Sequence, residues 1–298
     1  MIENLTKDGK CVLCPRNCGA DREKGKGFCG MRAGVRISRV GFHEWEEPCI
    51  SYGKGSGTVF FAGCNLKCVY CQNYEISFGK KGRDVSEKTL EEEILKLQES
   101  GASNINFVTP THYSDALLRV LERIKGKLKI PVIYNCGGYE KREAVKALSD
   151  YIDVFLPDIK YFSPELSKKY SFAEDYFKAA SDALDEMYKC KGYAEYDGDG
   201  HIKKGVLTRH LVLPSAYKDS IKILDYILEN YDAKKFALSI VSQYFPTENC
   251  KKYPELCRRV TTLEYNKVVE HAENKGFENV YVQEKSSADE KYVPDFDY

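Results

Sequence analysis

Residues 60–73 read F-F-A-G-C-N-L-K-C-V-Y-C-Q-N, and no other stretch constrains the fold as tightly. An apolar, β-like run, Thr58 to Ala62, leads straight into a loop carrying Cys64, Cys68 and Cys71 at C-x3-C-x2-C spacing. A fold that satisfies these residues must end a buried strand at the loop and gather three thiols there. Thiolate is the soft ligand that iron–sulfur clusters take, so the loop can hold three irons of a 4Fe-4S cluster. The fourth iron has no protein ligand, and an outside group can coordinate it. A structural zinc site wants four ligands, and this loop offers three. Twelve cysteines produce some close spacings by chance. The strand before the loop, the turn at Gly63 and the aromatic Tyr70 between the last two cysteines favour the cluster over incidental thiols.

A second group, Cys11, Cys14, Cys18 and Cys29, lies in C-x2-C-P-x2-C-G and F-C-G contexts among Gly19, Gly25, Gly27 and Gly30. The segment is too short and polar to make its own core, so a bound metal would supply its folding energy. The spacing suits a tetrahedral zinc knuckle and an auxiliary 4Fe-4S cluster alike. His43 and Cys49 have no partner at metal spacing and read as packing or surface residues. Cys136, Cys190, Cys250 and Cys257 read as scattered free thiols.

The 298 residues balance 45 basic against 45 acidic side chains, which gives no reason to expect nucleic acid or an anionic membrane as partner. No window approaches the roughly 18 consecutive apolar residues of a membrane span. The first ten residues contain no stretch of signal-peptide length, so the expectation is a cytoplasmic protein. In a reducing compartment, twelve cysteines point to metal ligation before disulfides. A cluster with an open iron further implies an anaerobic or oxygen-guarded setting.

From Thr58 onward the pattern alternates strand and helix. Strands are expected at Thr58–Ala62, Ile105–Val108, Pro131–Tyr134, Ile152–Leu156, Leu207–Leu213, Phe236–Val241 and Asn279–Val282. Helices are expected near Ser86–Gly101, Ser114–Ile124, Arg142–Ser149, Ala173–Lys189, Ile221–Glu229 and Thr262–Lys275, with Ser86 as a cap and Thr261/Glu264 as a capping box. Repeated β-then-α units of this length imply a parallel sheet with right-handed crossovers. The expected fold is α/β, a partial (β/α)6 TIM-like barrel over 51–298, preceded by a small cysteine-rich metal-binding module over 1–50. Chemistry in such barrels collects at the C-terminal strand ends, where the polar residues of this chain fall. Ser51–Gly57 precedes a strand, so it reads as a flexible lead-in within reach of the cluster loop and not as a phosphate loop. Asp197-Gly-Asp-Gly200 fails the calcium-loop pattern and reads as a hairpin turn.

With these residues in place, G-C-N-L-K-C-V-Y-C-Q-N resembles the radical S-adenosylmethionine (SAM) superfamily, in its pyruvate formate-lyase activating enzyme branch. The likeness covers roughly Ser51 to Tyr244. Leu156-Pro-Asp-Ile-Lys160, followed by Lys168-Lys-Tyr170, resembles that family's Asp-Leu-Lys word, which implies Asp158 and Lys160 at the cofactor. Thr208-Arg-His-Leu-Val-Leu-Pro214 resembles its Arg-x-Val-Val-Val-Pro strand and implies Arg209 as partner of the cofactor carboxylate. Tyr70 would lie by the adenine. Where the family holds the SAM ammonium with Gly-Gly-Glu, this chain has Thr109-Pro-Thr111, so the hydroxyls of Thr109 and Thr111 would substitute. The N-terminal cysteines and Val293-Pro-Asp-Phe-Asp-Tyr298 point to an activating-enzyme-like subgroup. The resemblance implies an oxidoreductase with a 4Fe-4S cluster and SAM, fed by a reductant such as flavodoxin or ferredoxin. Its 5'-deoxyadenosyl radical would take hydrogen from a protein or peptide, activation of a glycyl radical enzyme included. Radical modification of a small metabolite or a ribosomal peptide is the nearest competitor, and a non-catalytic iron–sulfur or zinc scaffold or sensor is the alternative from another class.

Overall fold

The computed structural model describes residues 6, 7, 9–283, 294 and 296. Most of the first ten residues and most of Val293–Tyr298 therefore lie outside the described residues. A short hairpin, β1 (Thr6–Lys7) and β2 (Lys10–Cys11), opens the chain. Next come β3 (Val35–His43), β4 (Ser56–Phe61), α1 (Tyr74–Ser77), β5 (Arg83–Val85), α2 (Glu87–Glu99), β6 (Ile105–Val108), α3 (Ser114–Ile124) and β7 (Val132–Cys136). The series continues with α4 (Arg142–Leu148), β8 (Val154–Pro157), α5 (Pro164–Ser171), α6 (Tyr176–Lys191), β9 (Glu195–Tyr196) and β10 (Ile202–Leu211). It closes with α7 (Tyr217–Asn230), β11 (Ala237–Val241), α8 (Thr262–Asn274) and β12 (Val280–Val282).

The main sheet runs β12-β11-β10-β8-β7-β6-β4-β3-β5. Along β4-β6-β7-β8-β10-β11-β12 every pairing is parallel, and each of these strands joins beside the last. Strands added always on one side give a curling barrel wall, whereas a doubly wound sheet reverses direction in its middle. The architecture is α/β with a mostly parallel sheet, as expected of a partial barrel. All six residues of β4 and all four of β6 and β8 are buried, as in strands covered on both faces. Helix α2 shows how a wall helix docks. The Ser86 side chain accepts from the Thr89 amide at its start, and Leu90, Ile94 and Leu97 form its buried stripe. Each of these three contributes about 1.5–3 kcal/mol by leaving water. The Thr261/Glu264 capping box opens α8, and Asp197–His201 makes the turn of the β9–β10 hairpin.

Two expectations need correction, and two elements were not expected. Val35–His43 is not part of a separate module: it is a strand paired antiparallel to β4, so the division at residue 50 cuts through one sheet. β5, also unexpected, pairs with β3 at the edge. Pro164–Ser171 forms its own helix, with Pro at its first turn and the Ser163 side chain accepting from the Leu166 amide. The lead-in 51–57 lies at the opposite end of β4 from the cysteine loop, where the Ser103 amide donates to Gly55.

Candidate functional site

The cysteine loop leaves the C-terminal end of β4 through Gly63, whose φ of +84° suits glycine. A Cβ there would stand 2.5 Å from Met31 Cγ and 2.8 Å from the Cys29 carbonyl. The Gly63 amide donates to Ile76 at 2.7 Å, and the Cys71 amide donates to Cys68 at 3.1 Å, curling the loop back on itself. Left-handed backbone at non-glycine residues surrounds the loop: Lys67 within it, Thr109 after β6 and Phe172 after α5. Such conformations cost on the order of 1–3 kcal/mol each and persist where the surroundings fix them.

Cys64, Cys68 and Cys71 line a cavity of about 280 Å³ at the C-terminal strand ends. Tyr70, Thr109, Asp158, Lys160 and Arg209 line the same cavity, so most of the residues expected from sequence converge there. Thr111 does not line it. Its hydroxyl donates to the buried Glu140 carboxyl, which also accepts from Tyr134 at 3.1 Å. Burial pushes the Glu140 carboxyl up to about 8. Lys160 donates to Asp158 at 2.5 Å; burial opposes its charge, but Asp158 and the nearby Cys68 more than offset this, and its pKa is raised.

Arg209 is occupied. Its Nε donates to Glu47 Oε1 at 2.7 Å, and its outer nitrogen meets both Glu46 and Glu47. Burial would raise the Glu47 carboxyl, yet the guanidinium beside it holds it below the ordinary value. Glu46 also accepts from Asn106 of β6 at 2.9 Å. Glu46, Glu47 and His43 line the cavity although sequence reading assigned them no role. The available signal was the word H-E-W-E-E-P, two adjacent carboxylates beside the only Trp. His43 packs edge-on against Phe60, with ring centroids 6.1 Å apart.

Behind the loop runs a chain of hydroxyls. Tyr161 donates to Tyr70 at 2.6 Å and stands 2.7 Å from Ser171 Oγ, which donates to Cys68 Sγ at 2.9 Å. The donor set suits a 4Fe-4S cluster: three thiols on one loop, an amide from Leu66 to Cys64 Sγ at 3.4 Å, and the Lys160 cation beside all three sulfurs.

Cys11, Cys14 and Cys29 are buried, and Cys18 is exposed. Burial pushes the Cys14 thiol up to about 12 and raises Cys29, and the electrostatic couplings of Cys29 reach Cys11, Cys14 and Cys18. The sequence thus brings these four thiols into one neighbourhood. Among the remaining cysteines, Cys136 lines the cavity, and Cys49 and Cys250 are buried in the core.

The sequence model of the radical SAM superfamily matches residues 58–194. The uncharacterized protein MJ0674 of Methanocaldococcus jannaschii is 29% identical over 290 residues, spanning 94% of this chain and 79% of that one. A second protein of that organism, MJ0808, is 27% identical over 169 residues, 51% of this chain and 49% of its own. Among solved structures, a spore photoproduct lyase mutant superposes with a TM-score of 0.51 at 12% identity, over 81% of this chain and 78% of that one. Streptococcus suis SuiB gives 0.48 at 15% identity over 74% of this chain, which spans about half of SuiB, 47%. Among the described residues no helix is long and apolar enough to cross a membrane. Over residues 58–194 the chain is similar to the radical SAM superfamily, and it shares its fold with the spore photoproduct lyase.

Proposed function

We propose that this chain is a radical SAM enzyme of the activating-enzyme type, acting on a protein or peptide, with activation of a glycyl radical enzyme among its tasks. The superfamily implies a 4Fe-4S cluster and SAM. One observation carries the reading: three cysteines of one loop share a cavity with Asp158, Lys160, Arg209, Tyr70 and Thr109 at the parallel strand ends. When bound, the cluster supplies the electron that cleaves SAM and yields a 5'-deoxyadenosyl radical.

The residues of this chain then bind and orient. Asp158 offers a carboxylate and Lys160 a cation to the charged methionine end of SAM, and the Tyr70 ring gives adenine an apolar wall. Glu46 lines the cavity and accepts from Asn106 of β6, and we assign it the ammonium contact in place of Thr111, whose hydroxyl is engaged by Glu140. Trp45 lines the cavity while remaining 54% exposed, which suits a rim that receives a polypeptide. A low-potential one-electron carrier such as flavodoxin or ferredoxin, in a cytoplasmic and oxygen-guarded setting, completes the reading.

The test is anaerobic reconstitution, reduction with dithionite and assay for 5'-deoxyadenosine. Product above a Cys71→Ala control supports the proposal. Equal yields from both proteins would leave a non-catalytic iron–sulfur scaffold.

A further inference from the structure

The N-terminal cysteines do not stand apart from the loop at β4. The Cys64 amide donates to the Cys29 carbonyl at 3.3 Å. Arg16, two residues after Cys14, donates to Asn65 inside the loop at 2.7 Å and to Ser171 at 2.8 Å, the residue whose hydroxyl meets Cys68. Standard bond lengths along the Cys29–Cys64 route place the two sulfurs at most about 13 Å apart. A redox centre at Cys29 would thus be joined to the loop by one hydrogen bond and a few covalent bonds.

Zinc and a four-iron cube ask different spacings of their thiolates. Around one zinc at 2.3 Å, tetrahedral thiolates stand about 3.8 Å from each other. Among the described residues, the one group of three or more ligand atoms all within 4.8 Å is Asp197, Asp199 and His201. Neither the N-terminal cysteines nor Cys64, Cys68 and Cys71 are drawn that close. A four-iron cube needs the wider arrangement, because each thiolate binds a different iron. Amides aim at the sulfurs, from Arg16 to Cys14, from Ala20 and Phe28 to Cys18, and from Met31 to Cys29. Such bonds tune a cluster's potential.

The surface over this site has a matching character. Residues 9–36 carry seven Lys and Arg against two Asp and Glu, in a chain whose total charge is zero. Phe28 and Phe78, each 36% exposed, flank Lys67, whose Nζ lies 5.3 and 5.8 Å from their ring centroids. Arg16 covers Phe28 from 4.0 Å. An apolar centre with a basic rim fits an acidic partner, and the exposed Cys18 lies at the same surface, its sulfur accepting from the Phe28 amide.

We propose that Cys11, Cys14, Cys18 and Cys29 hold a second 4Fe-4S cluster, which takes one electron from an acidic redox protein docked over Phe28 and passes it to the Cys64–Cys71 centre. Each transfer oxidises the carrier by one electron and leaves the second cluster, after its own transfer, in its starting state. No atom or proton changes place. The inference rests on the proposed function for its purpose, but its readouts do not depend on 5'-deoxyadenosine.

The first experiment counts metal in the anaerobically reconstituted full chain with Cys64, Cys68 and Cys71 replaced by Ala. About four irons with matching sulfide are expected to remain. Zinc in their place, or no metal on a folded variant, overturns the cluster. If the variant does not fold, the wild-type chain decides. Two reduced paramagnetic signals are expected, of which SAM alters one, and a single signal overturns the proposal. The second experiment follows bleaching of the clusters by reduced flavodoxin. Lys26→Glu with Arg32→Glu is expected to slow it by on the order of tenfold at low salt, with the difference vanishing at high salt. Dithionite, small and unsteered, serves as the control. Equal rates with flavodoxin overturn the docking surface. A chain that makes no 5'-deoxyadenosine yet passes both experiments refutes the proposed function and leaves the relay standing.

Discussion

Arg209 and Glu47 form a paired-charge contact at the cavity wall, Nε to Oε1 at 2.7 Å, on the side chain that the sequence resemblance assigns to a cofactor carboxylate. Glu46 holds the same guanidinium from its other side. These side chains are at most 16% exposed, and removing one member of such a pair strands the other without a counter-charge. Arg209→Met is expected to destabilise the metal-free chain by about 3–5 kcal/mol, measured by denaturant unfolding. Unchanged stability with a collapse of SAM affinity would assign the guanidinium to the cofactor instead.

Asp158 and Lys160 are expected to behave differently, because they reach the cavity without a second carboxylate competing for them. Asp158→Asn removes one charge from a contact with the SAM ammonium or with Lys160. Charge-assisted hydrogen bonds contribute about 1.5–3 kcal/mol, so SAM binding should weaken on the order of tenfold or more. Titration of the reduced cluster's paramagnetic signal with SAM measures this. An unchanged midpoint would remove Asp158 from the binding site.

Gly63 has no room for a side chain. Gly63→Ala would force a methyl to within 2.5 Å of Met31 and 2.8 Å of the Cys29 carbonyl, at a φ of +84° that alanine avoids. The loop must shift, and the Cys64 amide must leave Cys29. The expected outcome is iron content well below wild type after reconstitution, with the far-ultraviolet circular dichroism of the barrel retained. Full loading would show that the loop tolerates another path.

What the sequence conveyed and what it withheld follow from how each residue is placed. Cys64, Cys68 and Cys71 were legible because their spacing is itself the constraint. Asp158 and Arg209 entered only through the resemblance of 156–160 and 208–214 to family words, and the parallel strands β8 and β10 bring both side chains to the one cavity. Glu46 and Glu47 were not legible, because they reach the cavity through the connection after β3, an antiparallel strand outside the parallel β/α series. Its burial runs without clean alternation, so its period carried little signal. Thr111 misled for a local reason. Pro110 and the turn after it carry its side chain toward Glu140, four residues beyond Cys136, a pairing that no short-range pattern records.

Glu140 gives the stability a pH dependence of definite sign. Its carboxyl titrates near 4.5 when exposed and is pushed up to about 8 by burial in the fold. Between those values the folded chain binds more protons than the unfolded chain, so stability falls as pH rises from about 4.5 to about 8 and the loss is complete above that. Glu140→Gln keeps the shape and removes the titration. Unfolding free energies between pH 5 and 9 should slope less steeply in the variant, by an amount on the order of a few kcal/mol across the range. Parallel profiles would place the buried proton elsewhere.

Phe296 connects the far end of the chain to the cavity. Its ring meets Phe60 edge-on, with centroids 5.5 Å apart, in a cluster with Ile76 and Val108, and it is 5% exposed. Pro294, two residues earlier, lines the cavity itself. The contact therefore covers the β4 and β6 strand ends, beside the cysteine loop. Burial of one large aromatic stabilises by about 1.5–3 kcal/mol, enough to hold a short segment but too little to matter to the whole barrel. Phe296→Ala should leave the thermal midpoint nearly unchanged while amide exchange in residues 60–64 and 108–109 accelerates. Water then has easier access to the cavity, and 5'-deoxyadenosine made without substrate should rise relative to wild type. If exchange at those residues is unaltered, the Phe60–Phe296 contact does not close the site.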